Sequence, residues 1–133
     1  MTITNNIKRG EIYYADLSSG CGSEQCGSRP VLILQNNIGN MYSPTTLIAP
    51  LTTRSKKNEL PTHVLLKSDS NNLSYDSTVL LEQISVIDKK RLRERITYLD
   101  TSQMREINNA IAISLGLGNS KKAEVSNYNY ATN

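Results

Sequence analysis

The chain has 133 residues, a net charge of +3 and a pI near 8.9, with 38% hydrophobic and 20% charged residues. This is the length of one domain, and the composition is that of an ordinary globular protein. A chain of this size can fold without disulfides or a bound metal. The longest apolar run is too short to span a bilayer, and the polar start, residues 1–7, lacks the apolar segment of a signal peptide. These features favour a cytoplasmic protein.

Two groups of basic residues stand out along the chain. They are Arg54, Lys56 and Lys57, and then Lys89, Lys90, Arg91, Arg93 and Arg95. Either group fits a groove that follows a phosphate backbone, since neutralising phosphates releases bound counterions. A solvated loop and a solvated helix face account for the same residues equally well. The charge pattern therefore permits a polyanionic partner without requiring one.

The first half of the chain has the pattern of three strands. Residues 10–17 are rich in β-favouring side chains and predict the first strand. A glycine-rich loop, 18–28, follows. Residues 30–35 form a nearly continuous apolar run, which predicts a central buried strand that begins at Pro30, where a missing N–H is tolerated. A turn-rich connection leads to a third strand, 45–51.

The second half predicts further short strands separated by polar loops. A fourth strand covers residues 62–66, and a strongly apolar run predicts a fifth strand over 77–86. Residues 88–91 fit one helical turn, and 96–99 a short last strand.

One long helix is predicted near the end of the chain. Its candidate N-terminal caps are Asp100, Thr101 and Ser102. Its apolar face carries Met104, Ile107, Ile111 and Leu115. Gly116 and Gly118 end it. Short strands followed by one helix predict a mainly β fold with helices (α+β), arranged as a small closed or nearly closed barrel.

The domain organisation is expected to be simple. Nothing marks a second domain, so residues 1–118 are expected to form a single domain. The segment 119–133 is polar, rich in Asn and aperiodic, which predicts a disordered tail.

The residues most often used in catalysis are scarce. Cys21 and Cys26 are two thiols, too few for a four-ligand zinc site, and a disulfide is not expected in a cytoplasmic protein. They are interpreted as incidental loop cysteines. His63 is the chain's single histidine, which excludes a two-histidine ribonuclease mechanism within one subunit. Whether His63 acts as a lone base or has a structural role stays open.

Two polar residues at strand ends are candidates for binding an anion. Arg29 follows the flexible loop and precedes the buried strand, so it is expected at the rim of the barrel, where its guanidinium fork suits a phosphate. A salt bridge to a carboxylate is the alternative. Thr52 follows the third strand, and its hydroxyl can donate to an oxyanion, although threonine is also common at strand ends.

Several segments, in order and at matching spacing, resemble the MazF/PemK family of toxins. They are KRGEIYYADL at 8–17, GSEQ at 22–25, RPVLILQN at 29–36, SPT at 43–45, LPTHV at 60–64, DSTVLLEQI at 76–84 and ISLGL at 113–117. The resemblance implies an SH3-like barrel with a C-terminal helix, assembled as a homodimer. It also implies a metal-independent, cofactor-free endoribonuclease that cuts single-stranded mRNA at short sites, commonly containing ACA. A partner antitoxin would cover the RNA groove with a segment that folds on binding.

The resemblance also implies roles for individual residues. Arg29 and Thr52 match the family's catalytic arginine and threonine, and Glu24 is a candidate base in the covering loop. The candidate RNA-binding residues are Ser23, Glu24, Gln25, Leu60, Pro61, Ser77 and Gln83, and a surface or strand-capping role is the open alternative for each of them. The chain departs from the family in its loop cysteines and in its tail after Leu117. One branch of the family uses a histidine and an aspartate near the active centre, and His63 does not match that histidine.

Two other functions stay open at this point. A related toxin on the same fold traps DNA gyrase, so the fold alone does not decide the activity. That toxin depends on an aromatic-containing end of its C-terminal helix, which this chain lacks. The other alternative is an inert module that binds RNA or an antitoxin without cleavage.

Overall fold

The computed structural model describes residues 6–17, 22, 24–53 and 60–118. Within these ranges the chain forms seven strands and three helices. The strands are β1 Glu11–Leu17, β2 Gly27–Ile33, β3 Thr45–Thr52, β4 His63–Leu66, β5 Ser77–Leu80, β6 Ser85–Asp88 and β7 Leu92–Tyr98. The helices are α1 Asn37–Tyr42, α2 Ser68–Asn71 and α3 Thr101–Leu115, and two 3-10 turns span Leu81–Gln83 and Lys89–Arg91.

Strand β3 is the centre of an antiparallel sheet. The strand order is β4-β5-β3-β2-β1-β7, and β6 also pairs with β3. Ile48 pairs with Ile33 of β2 and with Ser85 of β6, so these two strands occupy opposite edges of β3. Further along, Leu51 pairs with Val79 of β5. The prediction of a mainly β fold with helices is confirmed.

The paired segments 11–13 of β1 and 31–33 of β2 are buried on both faces. Ile12 and Leu32 pack in one apolar cluster together with α3, while Tyr13 and Val31 pack in a second cluster on the other face. Successive side chains of a strand point to opposite faces, so each strand contributes to both clusters. This double burial explains why the part of β2 from Val31 to Ile33 is apolar without alternation. The predicted central, buried strand is confirmed.

The predicted fifth strand, 77–86, is wrong as a single element. The 3-10 turn Leu81–Gln83 divides it into β5 and β6, because these strands pair with different parts of β3. The side chain of Leu81 is fully buried, and its N–H donates to the carbonyl of Thr62 at 3.0 Å. The buried turn is therefore held against the residue before β4, and it changes the direction of the chain between β5 and β6.

Other boundaries also differ from the sequence-based expectation. Strand β2 begins at Gly27, and Pro30 lies inside it, just before its pairing with β3 begins at Val31. The short helices α1 and α2 lie in connections that were predicted to be turns and loops. The last strand, β7, is longer than predicted, while the helical turn predicted at 88–91 is confirmed. The predicted tail, 119–133, lies outside the described residues.

Helix α3 begins and ends as its sequence predicts. Asp100 caps it by accepting from the N–H of Gln103, and the Gln103 side chain returns a bond to the Asp100 N–H. Gly116 ends it with a φ of 70°, which favours glycine. The predicted apolar face is wrong for Leu115, which is 59% exposed. No helix among the described residues is long and apolar enough to cross a membrane.

A buried carboxylate joins β1 to β7. Glu11 accepts from the Tyr13 hydroxyl at 3.0 Å and from Nη1 of Arg95 at 2.9 Å. Burial and the adjacent carboxylate raise the pKa of Tyr13 far above its ordinary value. The phenol therefore stays protonated and remains a donor to Glu11 throughout the neutral range. This arrangement gives Arg95, one of the predicted basic group, a structural partner.

We expect Asp100→Ala to lower the free energy of unfolding by about 1 kcal/mol, because the first turn of α3 loses its cap. Ser102→Ala, at an exposed position of the same turn, is the control and should change stability by less than about 0.5 kcal/mol. Urea denaturation of the three proteins measures the difference. Equal midpoints for Asp100→Ala and the control would contradict a stabilising role for the capping box.

Candidate functional site

A cleft of about 410 Å³ opens beside the central strand β3. Its walls come from the end of β1, the segment before β2, the middle of β3 and the chain around β6. The lining residues are Leu17, Glu24, Gln25, Pro50, Glu82, Gln83, Ile84, Ser85, Val86, Ile87 and Arg91. We call this the polar cleft.

Three of the predicted RNA-binding residues meet in the polar cleft. The backbone N–H of Gln25 donates to Oε1 of Gln83 at 2.7 Å, which ties the segment before β2 to the 3-10 turn after β5. Glu24 is exposed, and its carboxylate accepts from the N–H of Gly22 at 3.2 Å. Residues far apart in the sequence thus form one wall of hydrogen-bonding groups.

Glu82 is a polar-cleft residue that the sequence reasoning missed. Its carboxylate accepts from the Thr62 hydroxyl at 2.9 Å and contacts Nε2 of His63 at 3.0 Å. The available signal was a charged residue that interrupts the apolar run 77–86. Two fixed partners make Glu82 a positioned hydrogen-bond acceptor at the cleft.

The hydrogen bonds of His63 assign it a structural role. Its Nδ1 accepts from the N–H of Leu60 at 3.2 Å, so in the neutral ring the proton resides on Nε2 and is donated to Glu82. The His63 side chain is only 6% exposed. Both ring nitrogens are therefore engaged, and His63 orients Glu82 rather than receiving a proton from a substrate.

Arg29 and Thr52 lie at neighbouring strand ends. Pairing between β2 and β3 begins at Val31 and Pro50, and the side chain of Arg29 reaches β3 through Nη1, which donates to the carbonyl of Leu51, the residue before Thr52. Thr52 is buried and pairs with Thr78 of β5. Alternation along the strand places its side chain on the same face as Pro50, which lines the polar cleft. The two candidate catalytic residues are thus close to each other.

Two backbone carbonyls position the Arg29 side chain. Its Nε donates to the carbonyl of Cys26 at 3.1 Å, and Nη1 donates to that of Leu51 at 3.2 Å. One bond comes from the segment before β2 and the other from β3. The orientation of the guanidinium is therefore fixed by the segment before β2 and by β3.

The interpretation of the cysteines as incidental thiols is wrong for Cys26. Cys26 is disulfide-bonded. The chain's other cysteine, Cys21, and the predicted RNA-binding residue Ser23 lie outside the described residues. The bonded Cys26 is also the residue whose carbonyl holds Arg29.

The remaining predicted RNA-binding residues do not line the polar cleft. Ser77 is buried and donates its hydroxyl to the carbonyl of Tyr75 at 3.0 Å. Leu60 is exposed and, with Pro61, lies in the turn before β4. Leu60 is nevertheless connected to the cleft residue Glu82 through the two ring nitrogens of His63.

The second basic group is divided by the fold. Arg91 lines the polar cleft. Lys89 is buried and donates to the carbonyl of Asn40, and Arg95 binds Glu11. The first basic group, 54–57, lies outside the described residues. Within the described ranges, no group of three or more His, Cys, Asp and Glu side chains is arranged to hold a metal ion.

Comparisons with known proteins identify the family of the chain. A family model for PemK-like and MazF-like toxins of type II toxin–antitoxin systems matches residues 8–115. A curated relative, endoribonuclease MazF from Staphylococcus saprophyticus, is 53% identical over 111 residues, which are 84% of this chain and 92% of the relative.

Solved structures share the fold. An endoribonuclease in complex with its cognate antitoxin, from a mycobacterial species, has a TM-score of 0.70 at 29% identity and covers 84% of this chain and 97% of that chain. MazF from Deinococcus radiodurans has a TM-score of 0.70 at 23% identity, with the same coverage. Since the family model spans most of the chain and a relative shares more than half of the aligned residues, the chain belongs to the PemK/MazF family of toxins of type II toxin–antitoxin systems.

Proposed function

We propose that this toxin is a cytoplasmic, sequence-specific endoribonuclease that cleaves single-stranded mRNA without a metal ion or cofactor. The observation that carries the proposal is the bond from the Arg29 guanidinium to the carbonyl of Leu51, the residue before Thr52, near a cleft lined by Glu24 and Gln83. A relative with 53% identity is named an endoribonuclease, which supports the same activity here. The catalytic unit is taken to be residues 1–118.

The proposed reaction uses the RNA's own 2′-hydroxyl. Its oxygen forms a bond to the adjacent phosphorus, the bond from phosphorus to the 5′-oxygen breaks, and a 2′,3′-cyclic phosphate and a 5′-hydroxyl result. The nucleophile is already next to the phosphorus, so the protein need not position a second reactant. The remaining barrier comes from negative charge that develops on the phosphoryl oxygens.

Arg29 and Thr52 can stabilise the negative charge that develops on the phosphoryl oxygens. A guanidinium donates two parallel hydrogen bonds to phosphate oxygens, and a threonine hydroxyl adds another. Because a guanidinium is a very weak acid that keeps its charge at neutral pH, we assign Arg29 electrostatic stabilisation rather than proton transfer. Glu24, an exposed carboxylate of the polar cleft, is the proposed acceptor of the 2′-hydroxyl proton. The 5′-oxygen takes a proton from water.

The polar cleft is suited to reading unstacked bases. Carboxylates accept from exocyclic amino groups, and an amide both accepts and donates. Glu24, Glu82 and Gln83 therefore present a fixed pattern to base edges, and Arg91 can bind a phosphate. We propose short target sites that contain ACA, as the family resemblance implies.

We further propose that a cognate antitoxin blocks this cleft. The mycobacterial structural relative was solved with its antitoxin, which supports a partner of this kind. A segment that folds on binding can cover an extended groove and compete with single-stranded RNA for the same groups.

Exposed apolar residues support a homodimer. Leu47 of β3 and Val86 of β6 are directly paired, and both side chains are exposed. The α1 residues Met41 and Tyr42, also exposed, line a hollow with Asp88 at the other end of β6. Large apolar side chains grouped on one surface mark an interaction site. Since Val86 also lines the polar cleft, the proposed interface adjoins the RNA site.

We expect Arg29→Ala and Thr52→Val each to slow RNA cleavage in EDTA by about 10²- to 10³-fold, because each removes a donor to the developing charge. Arg93→Ala, at an exposed arginine that does not line the polar cleft, should cleave at the wild-type rate. The measurement is fragment mapping on a defined single-stranded RNA, with assignment of the fragment ends. Cleavage abolished by EDTA would contradict the metal-free mechanism. If the wild type does not cleave the RNA, the nuclease proposal is wrong, and trapping of DNA gyrase is the function to test next.

We expect Gln83→Glu to change the preferred cleavage sequence while retaining activity. The carboxylate still accepts from the Gln25 N–H but no longer donates to a base. Gln83→Ala removes both functions and should also weaken cleavage. Sequencing of fragment ends from a randomised RNA measures the preference. An unchanged preference in both variants would exclude Gln83 from base recognition.

We expect the wild type to sediment as a dimer and Leu47→Glu to shift it toward monomer, since a charge would be buried at the proposed interface. Leu65→Glu, at a similarly exposed leucine of β4, is the matched control and should remain dimeric. Sedimentation velocity distinguishes the states. A monomeric wild type at micromolar concentration would contradict the homodimer.

A further inference from the structure

A second cleft, of about 300 Å³, opens on the other face of the sheet. Its lining residues are Tyr14, Pro30, Thr53, Leu73, Ser74, Tyr75, Ser77 and Ile96. We call it the tyrosine cleft. Its walls are aromatic and aliphatic with several hydroxyl groups, and no charged side chain is among the described lining residues.

Two exposed rings dominate the tyrosine cleft. Tyr14 is 40% exposed and Tyr75 is 70% exposed, although large aromatic side chains are usually buried. The chain has seven tyrosines but no Trp and no Phe. Any stacking of an RNA base on an aromatic side chain must therefore use tyrosine.

The tyrosine cleft lies next to the proposed catalytic pair. Two residues of the tyrosine cleft are chain neighbours of the candidate catalytic residues, since Pro30 follows Arg29 and Thr53 follows Thr52. Neighbouring strand residues point to opposite faces. Strand β3 ends at Thr52, and an RNA strand that passes this end would reach the tyrosine cleft from the cleavage site.

The backbone on both sides of the tyrosine cleft is restrained by the sheet and by hydrogen bonds. Tyr14 lies on β1 opposite Pro30, within the sheet. Tyr75 is tied by its carbonyl to the Ser77 hydroxyl at 3.0 Å. The next residue, Asp76, accepts from the N–H of Ser68 at 2.8 Å, and this bond lowers the pKa of the carboxyl. A restrained backbone reduces the entropy lost when a ligand binds.

The lining chemistry favours a nucleobase over a phosphate. A phosphate site needs cations or clustered N–H donors, whereas the described lining supplies ring faces, aliphatic carbons and hydroxyls. A base has an apolar face for stacking and a polar edge for hydroxyl groups. Under the proposed function single-stranded RNA binds at Arg29 and Thr52, so the bases that flank the cleaved bond are the nearest ligand for the tyrosine cleft.

We infer that Tyr14 and Tyr75 form a stacking site for a base that flanks the cleaved bond of the RNA. The inference rests on the proposed ribonuclease function and extends it to nucleotides outside the polar cleft. Stacking of this kind tolerates different bases, because every base has a flat face. The tyrosine cleft would thus raise affinity for longer RNA without changing the sequence that is cut.

The test uses two RNAs that contain the mapped cleavage site, one with flanking nucleotides on both sides and one trimmed to the site. Tyr75→Ala should weaken binding of the long RNA by about 5- to 100-fold and leave the trimmed RNA unaffected. Tyr75→Phe should bind like the wild type, since the ring is retained. Tyr98→Ala, at a tyrosine of β7 that is 64% exposed and outside the tyrosine cleft, is the matched control.

Binding and catalysis are measured separately. RNA with a 2′-deoxy group at the cut position lacks the nucleophile, so its affinity reports binding alone. With cleavable RNA, Tyr75→Ala should raise KM while kcat is unchanged. A 2-aminopurine placed at flanking positions should be quenched by the wild type and not by Tyr75→Ala at one of them.

The outcomes separate this inference from the proposed function. If the wild type cleaves and Tyr75→Ala matches Tyr98→Ala on both RNAs, the stacking site is overturned and the ribonuclease proposal stands. If Tyr75→Ala weakens only antitoxin binding, the tyrosine cleft is a protein-docking surface and the inference is wrong. If the wild type neither binds nor cleaves RNA, both proposals fail.

Discussion

The hydrogen-bonding edges of β3 are the constraint on which the rest of the structure depends. One edge pairs with β2, and the other pairs first with β6 and then with β5. Between the pairs Ile48–Ser85 and Leu51–Val79, β3 has two residues, 49–50, whereas the opposing chain has five, 80–84. The surplus forms the 3-10 turn Leu81–Gln83, so the polar cleft is a consequence of how the strands share β3.

The candidate site is built from hydrogen bonds that join distant segments. The bond from Gln25 to Gln83 and the bonds from Arg29 to the carbonyls of Cys26 and Leu51 connect the segment before β2 to its surroundings. His63 and Thr62 fix Glu82 in the same way. Such fixed donors and acceptors favour a ribonuclease that works by electrostatic stabilisation, because preorganised groups need not rearrange during the reaction. The disulfide at Cys26 adds a covalent restraint beside the residue that we propose binds the phosphate.

Two faces of one sheet carry different chemistry in this molecule. The polar cleft offers carboxylates, amides and Arg91, which suit base edges and phosphates. The tyrosine cleft offers rings and hydroxyls. Alternation along β2 places Arg29 and Pro30 on opposite faces, and Thr53, the residue after the end of β3, lines the tyrosine cleft. Catalysis, sequence recognition and general RNA affinity are thereby assigned to separate groups in the proposed function.

The sequence by itself determined the elements whose signals are local. The apolar run at 31–34, the Asp100 cap and the terminal Gly116 specify a buried strand and a helix through burial, capping and a positive φ. The family resemblance indicated Arg29 and Thr52. Only the tertiary structure decided that the run 77–86 breaks, that Glu82 enters the polar cleft and that Ser77 leaves it for the tyrosine cleft. These features depend on which strand pairs with which part of β3, and pairing between residues far apart in sequence has no local signal because it is fixed by hydrogen bonds formed only after the chain folds.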